Sequence, residues 1–141
     1  MRPAITPELP PPRREPIART GGPFARLSKA ERRVADFVLA DAEVFHLVRS
    51  RSRVDVGGWL RGRRVWVAAG ARELVLFAHG PRPYSQTIPF AELRSSVYNP
   101  VTGELALKPC ADVRAASLRM SPLDAYQLLA QIYAAPESAP R

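Results

Sequence analysis

The chain has 141 residues, of which 46% are hydrophobic, and this composition favours one folded domain with tails. Its one cysteine, Cys110, excludes an intramolecular disulfide and suits a reducing compartment. Residues 1–23 lack the apolar run of a secretory leader, and no stretch approaches the roughly 20 apolar residues that span a bilayer. A soluble, cytoplasmic protein is therefore the expectation.

The net charge of +8 belongs to the N-terminal half of the chain. Residues 1–64 carry 14 Lys and Arg against 7 Asp and Glu, whereas residues 65–141 carry 7 against 6. Such an asymmetry suits nucleic acid, an anionic membrane surface or an acidic protein as partner. A composition rich in arginine, alanine and proline also arises from a GC-rich genome, so charge alone does not choose between function and composition.

Residues 1–25 are predicted to form a disordered tail rich in proline and arginine. The residues concerned are Pro7, Pro10, Pro11, Pro12 and Pro16, with Arg13, Arg14 and Arg19. These prolines forbid a regular helix and favour polyproline II, and the arginines keep the segment solvated. Such segments bind aromatic grooves of some partner domains, but a tail without a ligand is the more common case.

An amphipathic helix is predicted within residues 26–48, from a capping box at Ser28 to about Leu47. In that box the Ser28 hydroxyl accepts from the Glu31 amide, and the Glu31 carboxylate accepts from the Ser28 amide. The apolar residues that follow with helical spacing are Val34, Phe37, Val38 and Phe45. We expect this apolar face to pack on the protein's own domain, because membrane-bound helices have cationic polar faces and this one is mixed in charge.

From residue 49 the polar and apolar pattern alternates with the period of a strand. One face of that strand would carry Arg49, Arg51, Arg53 and Asp55, and Gly57 and Gly58 after it permit a bulge or bend. Further strands are predicted at 64–69, 74–79, 84–88, 95–98, 104–108 and 113–120. The clearest turn is Asn99–Gly103, whose glycine suits a positive φ. Residues 49–135 are thus predicted to form an antiparallel β domain of about seven strands.

The β domain is predicted to end in a helix at residues 121–133, followed by a tail at 136–141. Ser121 is the N-cap, Pro122 stands at the first helical position and Asp124 complements the helix dipole. The apolar side of this helix carries Leu123, Tyr126, Leu129, Ile132 and Tyr133. The fold class predicted from these elements is α+β and mainly antiparallel β.

The order of about seven short strands and one C-terminal helix resembles the pleckstrin-homology (PH) superfold, and residues 65–133 look like a bacterial PH-like domain. The most similar stretch runs from Val65 through a tight turn to Phe77, and continues with Ile88-Pro89-Phe90 and a short acidic and apolar turn. The resemblance implies a bent sheet or barrel whose open end is plugged by the C-terminal helix. On that reading Leu123, Tyr126, Leu129 and Ile132 belong to the core.

The resemblance also indicates where a ligand would bind. Eukaryotic relatives often bind phosphoinositides through basic residues on the first two strands and their loop. The spacing of Arg53, Arg61 and Arg63 resembles that arrangement. Bacterial PH-like domains usually lack this lipid role.

A second resemblance concerns residues 27–37, which are similar to the opening helix of sugar-responsive RpiR-type transcription regulators. In those regulators two further helices complete a helix-turn-helix. Here the continuation is an Arg/Ser alternation and the Gly57-Gly58 pair, which predict no recognition helix.

Few residues of this sequence are suited to catalysis. His46 and His79 lie on different predicted elements outside metal-ligand spacing, and Cys110 follows Pro109 without the signature of a nucleophile family. The Gly57-Gly58 pair lacks the Gly-Lys-Ser/Thr of a phosphate-binding loop. We therefore predict a non-catalytic protein without a metal or small-molecule cofactor.

The strongest binding candidate is a group of arginines with a tryptophan: Arg49, Arg51, Arg53, Trp59, Arg61, Arg63 and Arg64. The planar arginine fork donates two hydrogen bonds at once to phosphate or carboxylate, and an indole stacks on bases or sits in a lipid interface. The alternative is a solvated sheet face with a core tryptophan. Two hypotheses follow: an interaction module for a protein partner or a second copy, and binding of nucleic acid or an anionic membrane through the arginine face. A third, an enzyme, has only Cys110 and the two histidines to build on.

Overall fold

The structure, a computed structural model, describes residues 9–54, 63–108 and 117–135. Its helices are a 3-10 turn at Gly22–Arg26, α1 at Lys29–Leu39, a second 3-10 turn at Phe90–Leu93 and α2 at Pro122–Ala134. Its strands are β1 His46–Arg49, β2 Trp66–Ala69, β3 Glu73–Ala78, β4 Tyr84–Pro89, β5 Val97–Asn99, β6 Glu104–Ala106 and β7 Ser117–Arg119. The predicted α+β class is confirmed.

The strands form two antiparallel sheets, one ordered β1-β2-β3-β4 and the other β5-β6-β7. Within the described ranges no strand pairing joins β4 to β5, so the predicted bent sheet is not closed into a barrel. β4 ends at Pro89, which has no amide proton, and the 3-10 turn at Phe90–Leu93 then redirects the chain. Of the predicted alternatives, a bent sheet or a barrel, the described strands therefore form no closed barrel, and two antiparallel sheets are present.

The Asn99–Gly103 turn has the local chemistry that its sequence predicts. Gly103 adopts a φ of 77°, and its amide donates to the Asn99 carbonyl at 2.7 Å. The Asn99 side-chain oxygen accepts from the Val101 amide at 2.9 Å. These bonds fix the register of the β5–β6 hairpin, which is confirmed.

An inner core lies between the two sheets and α2. It is formed by residues such as Val67, Leu76, Leu105, Leu118 and Leu128, all of them buried. On α2 the buried side chains include Leu128, Leu129 and Ile132, as expected for a helix that covers the space between the sheets. Leu123 departs from the prediction, because 64% of its side chain is exposed. It stands in the first turn of α2, beyond the reach of the inner core.

An outer core covers the opposite face of the four-stranded sheet. Ala35 and Leu39 of α1 pack with Phe24, Trp66 and Phe77 there. Of the predicted stripe, Val34 and Val38 pack partly buried against this core. Phe37 departs from the prediction at 86% exposed, and the buried residues of α1 are Glu31, Ala35 and Leu39. The predicted packing of this helix on its own domain is nevertheless correct, and both faces of the sheet are covered.

The first helix is shorter than predicted. It ends at Leu39, where Ala40 takes a φ of 49°, instead of continuing to Leu47. The Arg19 guanidinium donates to the Ala40 and Ala42 carbonyls at 2.9 and 2.8 Å, which satisfies carbonyls at the helix end. The chain then forms β1 from His46. The predicted boundary, with a helix at 26–48 and a β domain from residue 49, is therefore wrong.

Residues 9–25 lie against the domain, which differs from the disordered tail expected for residues 1–25. The Arg13 amide donates to the Gln131 side chain on α2, and the Ile17 amide donates to the Val44 carbonyl at 2.8 Å. Phe24 is buried in the outer core. Local proline content predicts the lack of regular structure here, but the contacts depend on residues distant in sequence.

Candidate functional site

Glu31, Arg49 and Trp66 form a cluster on the α1 side of the four-stranded sheet. Arg49 and Trp66 are direct cross-strand partners, and the Arg49 guanidinium lies 5.7 Å from the centre of the indole. Its Nη2 is 3.9 Å from Glu31 Oε2. Arg49 is therefore held by an anion and a ring of its own chain, although 44% of its side chain is exposed.

The Glu31 carboxylate stays charged although it is buried. Burial alone raises the pKa of this carboxyl, but the Ser28 amide, the Trp66 indole and the charges of Arg49 and His79 together hold the pKa below its ordinary value. The Ser28 amide donates to Glu31 Oε1 at 2.9 Å, which confirms the capping box. The Trp66 Nε1–H lies near this carboxylate but makes no hydrogen bond of good geometry to any described residue.

A bulge follows β1 where the sequence predicts an unbroken strand. The Ser50 amide donates to the Val65 carbonyl at 2.8 Å, and Val54 and Arg63 exchange two backbone hydrogen bonds. Between these contacts residues 51–53 lie opposite the single residue Arg64. The buried Ser50 hydroxyl holds the bulge by accepting from the Val65 amide and donating to the Ser52 carbonyl, both at 2.9 Å. Such a bulge turns side chains outward from the sheet.

The bulge gives a basic patch, defined here as Arg51, Arg53, Arg64 and Arg119. All four are exposed. The Arg51 amide donates to the Arg119 carbonyl at 2.7 Å, which places β7 beside the bulge. Among the described residues the structure records no ion pair for these arginines. Arg119 was not among the residues predicted from sequence, because only the fold brings it next to Arg51.

Arg63 does not belong to that patch. It is 7% exposed, and its Nη1 donates to the carbonyls of His79 and Arg82 at 3.1 and 2.9 Å. Burial lowers the pKa of its guanidinium below the ordinary value. Arg63 therefore links the segment before β2 to the β3–β4 loop, and its role in ligand binding stays a prediction. The other predicted site residues, Trp59 and Arg61, lie outside the described residues.

An open groove of about 740 Å³ lies beside β1. Phe45 and residues 46–48 of β1 form one wall, segment 13–26 forms a second, and α2 contributes Asp124 and Gln127. Charged side chains at the groove are Arg13, Arg26 and Asp124. The groove escaped sequence analysis because it depends on how residues 13–26 pack.

His46 is half-buried in this groove. Burial lowers its pKa, the Arg13 charge lowers it further, and Asp124 opposes them. The sequence placed His46 near a helix end, where a cation is favoured. The structure instead places it on β1, where the neutral imidazole is favoured.

No group of three or more His, Cys, Asp or Glu that could hold a metal ion occurs among the residues that the structure describes. His46 and His79 lie on separate segments, and Cys110 lies outside the described ranges. No helix within those ranges has the length and apolarity to cross a membrane. Comparison with protein-family models, with curated proteins and with solved structures finds no match to this chain.

Proposed function

We propose that this chain is a non-catalytic, PH-like interaction module that binds a peptide segment of a protein partner. The order of its elements supports the PH-like assignment: a four-stranded sheet, then a three-stranded sheet, then one helix packed on the inner core. The observation that carries the function is the open groove beside β1. It combines backbone, apolar and polar lining groups, as ligand sites commonly do.

Selection of peptides from a random display library tests this proposal, with affinities measured afterwards by fluorescence anisotropy. We expect Thr20→Trp, which adds a large ring at the groove wall, to weaken the recovered peptides at least about tenfold, or 1.4 kcal/mol. Thr102→Trp is the matched control, because Thr102 is exposed in the distant Asn99–Gly103 turn. Recovery of no peptide, or equal binding by both variants, would remove the groove as a peptide site.

The basic patch favours a second candidate function, the binding of a phosphate-rich polyanion. Arg51, Arg53 and Arg64 are exposed side by side at the bulge, with Arg119 on the adjoining strand. Each guanidinium can donate a pair of hydrogen bonds to one phosphate. Nucleic acid and an anionic membrane surface share this chemistry and are separated by experiment.

Gel shift with an oligonucleotide and sedimentation with phosphatidylserine vesicles, both across a salt series, test the second candidate. We expect the triple variant Arg51→Gln/Arg53→Gln/Arg64→Gln to lose at least about tenfold in affinity, and the salt dependence to flatten. The control Arg14→Gln/Arg33→Gln/Arg72→Gln makes the same change of charge at exposed positions elsewhere. Equal loss in both variants would indicate general charge attraction, and no binding at low salt would exclude the candidate.

A further inference from the structure

The outer edge of β1 carries backbone groups that the sheet does not use. In an antiparallel pair, hydrogen-bonded and non-bonded positions alternate. The Ser50 amide bonds Val65 across β1 and β2, so Val48 and His46 are also bonded positions. The amides and carbonyls of Leu47 and Arg49 therefore point away from β2. Within the described part of the chain, no backbone group bonds to them on that side.

Among the described residues, this edge is bounded at both ends by the protein itself. At one end the Ile17 amide occupies the Val44 carbonyl at 2.8 Å. At the other end the Arg51 amide donates to the Arg119 carbonyl at 2.7 Å. Between these two contacts lie residues 45–50, a length that at about 3.4 Å per residue matches an extended segment of roughly five residues. A free strand edge of this kind is a template for an added strand.

The groove lies along part of this edge, because one of its walls is made of Phe45 and of His46, Leu47 and Val48 of β1. Arg13 and Arg26 stand in the groove against one carboxylate, Asp124. Arg51, exposed just beyond the end of β1, adds a positive charge at the far end of this edge, whereas Arg49 is paired with Glu31. The charged side chains named here are therefore net positive, which complements a negatively charged segment.

We propose that an acidic, extended peptide segment of a protein partner adds to the outer edge of β1 as an extra strand, bonded to the amides and carbonyls of Leu47 and Arg49. This inference rests on the proposed function and specifies the partner and the binding mode. Main-chain bonds to the edge supply affinity, and the arginines at the groove select for acidic residues. A basic or neutral segment lacks this complementarity.

Hydrogen exchange measured by NMR on the full chain tests the binding mode directly. Adding an acidic peptide recovered by display selection is expected to slow exchange of the Leu47 and Arg49 amides at least about tenfold. The Val48 amide is an internal control, since it points toward β2 and is bonded without a peptide. Backbone N-methylation of the same peptide should weaken binding at alternate positions only, because every second amide of an added strand faces the edge.

Charge is tested with a matched pair of variants. Arg26→Glu reverses a charge in the groove, and Arg33→Glu reverses an exposed charge on α1 outside its lining. We expect the acidic peptide to bind Arg26→Glu at least about fivefold more weakly than Arg33→Glu. Equal weakening in both variants would contradict the charge selection.

The outcomes separate this inference from the proposed function. Peptides that bind in the groove without protecting Leu47 and Arg49, or without period-two sensitivity to N-methylation, would overturn strand addition and leave the peptide-binding function standing. Selection that recovers no peptide at all would defeat both. Protection of the same amides by rising protein concentration alone would identify a second copy as the occupant and overturn the acidic partner.

Discussion

Leu128→Ala is expected to lower the free energy of unfolding by about 2–5 kcal/mol, the range for leucine truncation in a packed core. Leu128 is fully buried on α2 in the inner core between the two sheets. The truncation removes apolar contacts and leaves a cavity that the flanking strands cannot fill without shifting. Urea denaturation followed by circular dichroism measures the change as a lower midpoint with an unchanged slope.

Leu123→Ala on the same helix is the matched control, because it removes the same atoms from an exposed position. Leu123 is 64% exposed, so we expect its truncation to change the free energy of unfolding by less than about 0.5 kcal/mol. A loss at Leu123 as large as that at Leu128 would mean that the first turn of α2 lies in the core. That result would restore the helix face predicted from sequence and contradict the packing described above.

Structure set by neighbouring residues could be predicted from the sequence. The capping box at Ser28, the cap at Ser121 and the turn at Asn99–Gly103 all have the bonds that their residue types indicate. Each depends on side chains three or four positions apart. Most strand positions were also predicted, because β-branched and aromatic residues between glycines and prolines favour strands wherever they pair.

The ends of elements depended on partners that the pattern does not contain. Residues 44–48 are mostly apolar and suit either continuation of a helix or a buried strand. The pairing of β1 with β2 decides for the strand, and Arg19 caps α1 from a segment that looked like a disordered tail. The exposure of Phe37 has the same origin, since the outer core fixes which face of α1 is covered.

The arginine group shows why a binding surface is harder to predict than a strand. In a regular strand, alternate side chains point to opposite faces of the sheet, so the face of each residue follows from its position. At the bulge after Ser50, however, three residues stand opposite one. Arg51 and Arg53 are nevertheless exposed, as alternation predicts, whereas of the neighbouring pair Arg64 is exposed and Arg63 is buried. The carbonyls that receive Arg63 come from residues 79 and 82, beyond the range of any local pattern.

Two arginines adjacent in sequence should therefore have very different effects on stability. Arg63→Ala is expected to lower the free energy of unfolding by about 2–4 kcal/mol, since hydrogen bonds from a charged donor contribute about 1.5–3 kcal/mol each and effects at one site do not add fully. The substitution leaves the His79 and Arg82 carbonyls without this donor and opens space beneath the β3–β4 loop.

Arg64→Ala makes the same change of composition and charge one position away, where the side chain is exposed, and is expected to cost less than about 0.5 kcal/mol. Urea unfolding of both variants gives the comparison, and Arg63→Lys adds a test of geometry, because the lysine ammonium stands one bond closer to the backbone than Nη1, the atom that donates to both carbonyls. Equal stability of the Arg63→Ala and Arg64→Ala proteins would show that the hydrogen bonds of Arg63 do not stabilise the fold. Arg63 would then be a candidate for binding a polyanion, and the basic patch would include it.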